Sequence, residues 1–153
     1  MREGVARGRA LRIGRVSEQG RIYLVTTVVQ ARRPVFRDWQ LGRLLVNTMR
    51  QAEQQRRVES LAWVIMPEHL HWLFRLTDGV LGELMRDVKS QSGRLVNQAA
   101  CLSLPLWQAG YHDHAVRHDE DLLAMARYVV ANPLRAGLVQ RVGDYPLWDA
   151  AWL

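Results

Sequence analysis

The sequence predicts an α+β fold, an antiparallel sheet laid down in the order β-α-β-β-α-β with one further helix after it. Three observations carry this. Segments rich in β-branched and aromatic residues take turns with segments whose apolar residues recur at helical spacing. Two of the predicted strands are separated by only two residues, which makes them antiparallel neighbours. The chain has 153 residues, 48% hydrophobic and 24% charged, which is the size and composition of one domain with one core.

Residues 1–20 carry Arg2, Arg7, Arg9, Arg12 and Arg15 among four glycines. Nothing periodic ties them to a core, so they read as a basic flexible arm ahead of a domain over 21–153. RIYLVTTVVQ (21–30) reads as a strand, ended by Arg32, Arg33 and Pro34. Asp38 caps a helix whose apolar face is Leu41, Leu44, Leu45, Thr48, Met49 and Ala52. Strands follow over 59–66 and 69–77, joined by Pro67-Glu68. A second amphipathic helix sets Leu81, Leu84, Met85, Val88, Leu95 and Val96 on one side. Residues 102–110 form a loop and 112–117 a short strand. Asp119, Glu120 and Asp121 supply a cap and negative charge for a third helix, which Asn132-Pro133 ends. The tail, with Tyr145, Trp148 and Trp152, is expected to pack back on the body. The first six elements make the ferredoxin-like βαββαβ arrangement, two helices on one face of the sheet and the other face left open for a ligand or for the extra helix.

Composition narrows the function. One cysteine, Cys101, rules out an intramolecular disulfide framework and a multi-cysteine zinc site. No apolar run approaches the roughly 20 residues of a membrane span, and no apolar stretch follows the basic N-terminus as a secretory signal requires. A cytoplasmic protein without membrane contact is expected. The net charge is +6, and of 21 basic residues only Lys89 is a lysine. Arginine binds phosphate bidentately and stacks on bases, so the balance points toward nucleic acid.

The third strand carries the chemistry. Leu70, Trp72, Phe74 and Leu76 alternate onto one apolar face, which sends His69, His71, Leu73 and Arg75 to the other. Two imidazoles two residues apart on a strand can share a divalent ion, or be plain surface histidines; spacing alone leaves both open. A histidine-triad phosphohydrolase would need a third histidine at position 73, which is Leu. On the third helix Leu122, Met125, Ala126, Val129 and Val130 share a face. Tyr128 lies nearly opposite, with Asn132 one turn on. That placement suits a nucleophile, and equally a tyrosine snorkelling at a helix edge.

Together these residues resemble a known family. PEHLHWLF is similar to the His-hydrophobe-His motif of HUH single-strand nucleases, and YVVANPLRAGLV (128–139) resembles the single-tyrosine helix of IS200/IS605-like transposases. The REP-associated tyrosine transposases are the variant it matches, with GRIYLVTT, LAWVIMPEHLHWLF, LWQAGYHDHAVR and YPLWDAAWL falling in the right order. The resemblance spans roughly residues 20–153. It implies that His69, His71 and Asn132 hold one Mg²⁺ or Mn²⁺ ion. Asn132 stands where mobile members have Gln but agrees with the REP-associated branch. Tyr128 would attack a phosphodiester of single-stranded DNA, leaving a covalent 5′-phosphotyrosine and a free 3′-OH. A phenol of pKa about 10 needs such help to act as a nucleophile. The resemblance also implies a REP-like DNA hairpin as partner, a monomer rather than a dimer, and association with the nucleoid.

Arg7, Arg9, Arg12 and Arg15 of the arm, and Arg86, Lys89, Arg94 and Asn97 of the second helix, are the candidate DNA contacts; a solvated basic face is the alternative for them. His112-Asp113-His114 is a second His-x-His, which the resemblance places outside the catalytic set. Tyr23, Tyr111 and Tyr145 lack an oxygen ligand at i+4 on a helix. Two other functions fit less well. A non-catalytic single-stranded nucleic-acid-binding module would want the RRM aromatic signature, which neither middle strand has. A plasmid-type replication nickase shares the chemistry but usually belongs to a longer chain.

Overall fold

β3 (His69–Leu76) is the middle strand of a five-stranded antiparallel sheet, and its alternation sorts the molecule into two sides. The computed structural model describes residues 20–117 and 120–151. The arm with Arg7, Arg9, Arg12 and Arg15 lies outside these residues, as do Asp119 and Trp152.

β1 (Ile22–Val28), α1 (Trp39–Gln54), β2 (Val58–Met66), β3, α2 (Leu81–Ala100), β4 (His112–Ala115) and α3 (Leu122–Val130) follow in the expected order. The strands lie β4-β1-β3-β2, the ferredoxin-like order. Asp38 caps α1 as expected, its carboxylate accepting from the Gln40 amide at 3.1 Å. Cys101 ends α2 in the left-handed region at φ 56°.

Leu70, Trp72, Phe74 and Leu76 are fully buried. They meet Tyr23 and Val25 of β1, Leu45, Val46 and Met49 of α1, and Leu84, Met85 and Val88 of α2 in one core. A smaller core forms on the opposite side, where Leu73 meets Leu61, Ala62, Val64 and Met66 of β2 beneath Ala126, Val129 and Val130 of α3. A register shift between Ser60 and Ala62 lets the consecutive Leu61 and Ala62 both reach it. The side left open by the first six elements is thus half covered by α3.

The structure corrects the sequence reading at two places. A fifth strand, β5 (Trp148–Ala150), pairs with β2 where only a packed tail was expected. Tyr145 anchors its approach by donating to the Ile65 carbonyl at 2.6 Å, and Leu147 fills the space beside Gly42, where an added Cβ would sit 2.4 Å from its Cδ1. Second, α3 ends at Val130, and Asn132-Pro133, expected only to end it, begins a short helix, α4 (Asn132–Arg135). Proline in a first helical turn is tolerated because its missing N–H would have no helical partner there. Among the described residues no helix is long and apolar enough to cross a membrane.

Leu73 is the one β3 residue that ties α3 to the sheet from the centre of the second core. Leu73→Ala should cost about 2–5 kcal/mol, measured by chemical denaturation, with faster amide exchange in α3. Arg75, next on that side but exposed at its end, should tolerate Ala with under about 1 kcal/mol. Equal losses at the two positions would mean that Leu73 does not hold the helix.

Candidate active site

The histidines stand where the strand period puts them, on the side of β3 opposite the main core and half-buried there. Their Nε2 atoms lie 3.0 Å apart, with the rings edge to face at 78°. Neighbours fix each ring from behind. Thr26 of β1, directly opposite His71 in the ladder, places its hydroxyl 2.8 Å from His71 Nδ1. Glu68, in the turn before β3, brings a carboxylate oxygen 3.3 Å from His69 Nδ1, near enough for attraction but not aligned for a good hydrogen bond. Arg32 lies 3.6 Å from the same carboxylate.

Burial pulls both imidazoles toward the neutral form. Loss of hydration lowers the His69 pKa, partly offset by the Glu68 charge. For His71 loss of hydration is again the largest cause, followed by neighbouring His69 and the Arg135 charge, and its pKa falls to about 4. Neutral imidazole is the form that binds a metal. Two nitrogen donors at right angles, each about 2.1 Å from an ion, sit about 3.0 Å from each other, which is the observed separation. The backing of each Nδ1 by an oxygen is the usual second layer of a histidine metal site. Among the described residues no three His, Cys, Asp or Glu side chains converge as ligands, so further protein donors would have to be of another type.

Asn132 offers one. Its amide nitrogen donates to the Val129 carbonyl at 3.0 Å, leaving Oδ1 as its acceptor. Tyr128, one turn earlier, faces away from the small core and is 60% exposed. α3, which carries Tyr128, lies against the histidines' own side of the sheet, and Asn132 opens α4 directly after it. Val64 and Met66, the cross-strand partners of His71 and His69, are in the core closed by Val129 and Val130.

The other tyrosines are less available. Tyr23 is buried, Tyr111 packs against the main core, and Tyr145 is held by the Ile65 carbonyl with burial pushing its pKa up to about 12. His112 and His114 lie on the edge strand β4, and His114 is paired with Glu120 at 3.0 Å. The α2 residues divide. Arg86 and Arg94 are exposed, Arg86 beside Asp87. Lys89 instead donates to the carbonyls of Gln108 and Gly110, and Asn97 to that of Leu104. These two, expected as DNA contacts, hold the loop after α2, on the far side of the sheet from the histidines.

Sequence reasoning missed Thr26, Glu68 and Arg135. Arg135 places its guanidinium 3.8 Å from the centre of the Tyr128 ring and donates to the Tyr128 carbonyl at 2.8 Å. Its only signal was its place in the Asn-Pro-x-Arg run.

The family model for IS200-like transposases matches residues 19–132. A REP-associated tyrosine transposase of Escherichia coli K12 is 30% identical over 105 residues, 67% of this chain and 61% of that protein; the match thus spans about three fifths of the relative's length. A Haemophilus influenzae protein provisionally given the same name is 27% identical over 144 residues, covering 84% of this chain and 78% of its own. Among solved structures, a REP-associated tyrosine transposase bound to a REP hairpin superposes with a TM-score of 0.72 at 26% identity, over 88% of this chain and 79% of that one.

The His71 environment predicts a pH dependence. Above pH 6.5 the ring is neutral in folded and unfolded chains alike. Between 6.5 and about 4 the unfolded chain takes up a proton that the folded ring refuses. Stability should therefore fall as the pH drops through that window, by on the order of 3 kcal/mol at its acid end. An NMR titration of the metal-free protein should place the His71 midpoint near 4; a midpoint at 6.5 or above would mean the ring is hydrated.

Proposed function

The chain belongs to the family of IS200-like transposases, and on that footing we propose that it cuts and rejoins single-stranded DNA at REP-type hairpins through a 5′-phosphotyrosine on Tyr128. The observation that carries this reading is the meeting of the two imidazole nitrogens at 3.0 Å on the side of the sheet covered by the tyrosine helix. The hairpin comes from the solved relative, which is bound to one.

In this reading Tyr128 Oη forms a bond to phosphorus as the P–O3′ bond breaks. The phenolic proton passes to solvent, and the departing oxygen takes one up to become a free 3′-OH. One phosphodiester replaces another, so rejoining is the same exchange reversed and needs no ATP. His69 Nε2, His71 Nε2 and Asn132 Oδ1 would hold Mg²⁺ or Mn²⁺, whose charge offsets that accumulating on the scissile phosphate. Thr26 and Glu68 keep the two rings turned toward the common point. Val129 and Val130, pinned on β2, hold the phenol on the solvent side of α3. The tyrosine helix packs on the sheet of its own chain, in keeping with a monomer as the working unit. The Arg-rich arm adds affinity through phosphate contacts that do not read sequence. A DNA substrate would keep the protein at the nucleoid.

Tyr128→Phe removes one oxygen from an exposed side chain. Hairpin binding and folding should survive while the covalent adduct disappears from a denaturing gel at every metal concentration. His71→Ala should also abolish cleavage, but raised Mn²⁺ should restore part of it. Wild-type protein that binds the hairpin and yields no adduct would favour a non-catalytic binding module.

Deleting residues 1–20 should weaken hairpin binding and flatten its salt dependence, each lost phosphate contact lowering the slope by roughly 0.7–0.9. Retention of the full slope would remove the arm from the DNA interface.

A further inference from the structure

Arg135 touches Tyr128 twice. Its guanidinium carbon lies 3.8 Å from the ring centre, and one terminal nitrogen donates to the Tyr128 carbonyl at 2.8 Å. The contact depends on the break at Ala131. α3 stops at Val130, α4 starts at Asn132, and the arginine that closes α4 reaches back across the break to the phenol. Arg135 is thus held against the phenol half of the site by its face and by one N–H.

Its remaining hydrogen-bonding capacity is large. Guanidinium has five N–H donors in a fixed fork; the bond to the Tyr128 carbonyl uses one. Among the described residues no carboxylate pairs with Arg135, whereas Arg32, Arg57, Arg75, Arg86 and Arg141 each have an acidic partner. A guanidinium stacked on an exposed aromatic ring keeps its edge directed outward, and that edge matches two oxygens of a phosphate.

We propose that Arg135 is a phosphate-binding residue of the active site: its flat face holds the Tyr128 ring while its edge binds the non-bridging oxygens of the phosphate that Tyr128 attacks. The inference rests on the transposase reading above and adds a ligand to it. Stacking limits the rotation of a side chain that is otherwise mostly in solvent, and the phosphate contact sets the phosphorus at the distance that the stack defines. No bond to Arg135 forms or breaks. It touches the substrate and carries its charge unchanged through the exchange.

The test separates this contact from cleavage. Hairpins with a single-stranded 5′ extension are made with one methylphosphonate at a time, each removing the charge of one phosphate. Their affinity for wild type and for Arg135→Ala is measured with chelator present, so that nothing is cut. At one position the neutral linkage should weaken wild type about tenfold and Arg135→Ala by less than twofold. Added Mn²⁺ should place the wild-type adduct at that same phosphate. Arg135→Lys, which keeps the charge but loses the fork and the flat face, should recover part of the difference. Arg135 is exposed, and an unchanged thermal midpoint for each variant confirms that the fold is kept. No position with such a difference overturns the proposal, whether or not the wild type cleaves. A difference at a phosphate other than the one cut also overturns it, leaving Arg135 as an ordinary backbone contact. Wild type that shows the difference but forms no adduct anywhere overturns the transposase reading, and with it the assignment of that phosphate as the reacting one.

Discussion

A strand has two sides, and everything in this molecule follows from which residues of β3 face which. Leu70, Trp72, Phe74 and Leu76 face the helices of the main core, where all four are fully buried. A slip of one residue would bury two imidazoles and expose Trp72 and Phe74, so the register is strongly held. His69 and His71 are carried to the second side by that constraint, with no interaction of their own needed to place them there. The neighbours are fixed with them: the ladder to β1 sets Thr26 beside His71, and the ladder to β2 sets Val64 and Met66 where α3 can land.

The second side is built differently from the first. The nine-residue helix α3 meets it through small residues, Ala126, Val129 and Val130, which pack on Leu61, Ala62, Val64, Met66 and Leu73 of the sheet. So short a helix is not stable on its own; burial of its valine edge against β2 gives it a position. Half-coverage is the useful result. The imidazoles are dry enough to stay neutral and still reachable by a ligand from the uncovered half. Full coverage would bury them out of reach, and no coverage would leave them hydrated and charged at mildly acid pH.

Much of this was legible in the sequence because it follows from periodicity. The alternation of β3, the cap at Asp38, the valine edge of α3 and the exposure of Tyr128 need only the strand and helix periods and local chemistry. What was not legible depends on partners distant in sequence. β5 is three residues long, and only its pairing with β2 makes it a strand. Thr26 acquires its role through the β1–β3 register, which no local pattern states. Lys89 read as a surface cation because its helix face is amphipathic, yet the loop after α2 folds back and supplies carbonyls to it. Asn132-Pro133 read as a stop because a residue before proline disfavours helical angles; the break falls one residue earlier, and proline then suits the start of a new turn.

That break matters more than its size suggests. In an uninterrupted helix, residues seven apart are two turns, about 10.5 Å, from each other along the axis, too far for Arg135 to donate to the Tyr128 carbonyl as it does here. Stopping at Val130 and restarting at Asn132 keeps the tyrosine on a helix anchored by its valines while the next turn is free to take another direction. Asn132 then uses its amide nitrogen to hold the Val129 carbonyl at the end of α3, tying the new turn to the old one. Arg135 does the same for the Tyr128 carbonyl. Both side chains thus satisfy backbone acceptors that the interrupted helix cannot. One of the groups that repair the helix end, Arg135, also lies over the phenol ring. The local repair and the placement of polar groups around Tyr128 therefore have one cause, a helix interrupted one turn after its tyrosine.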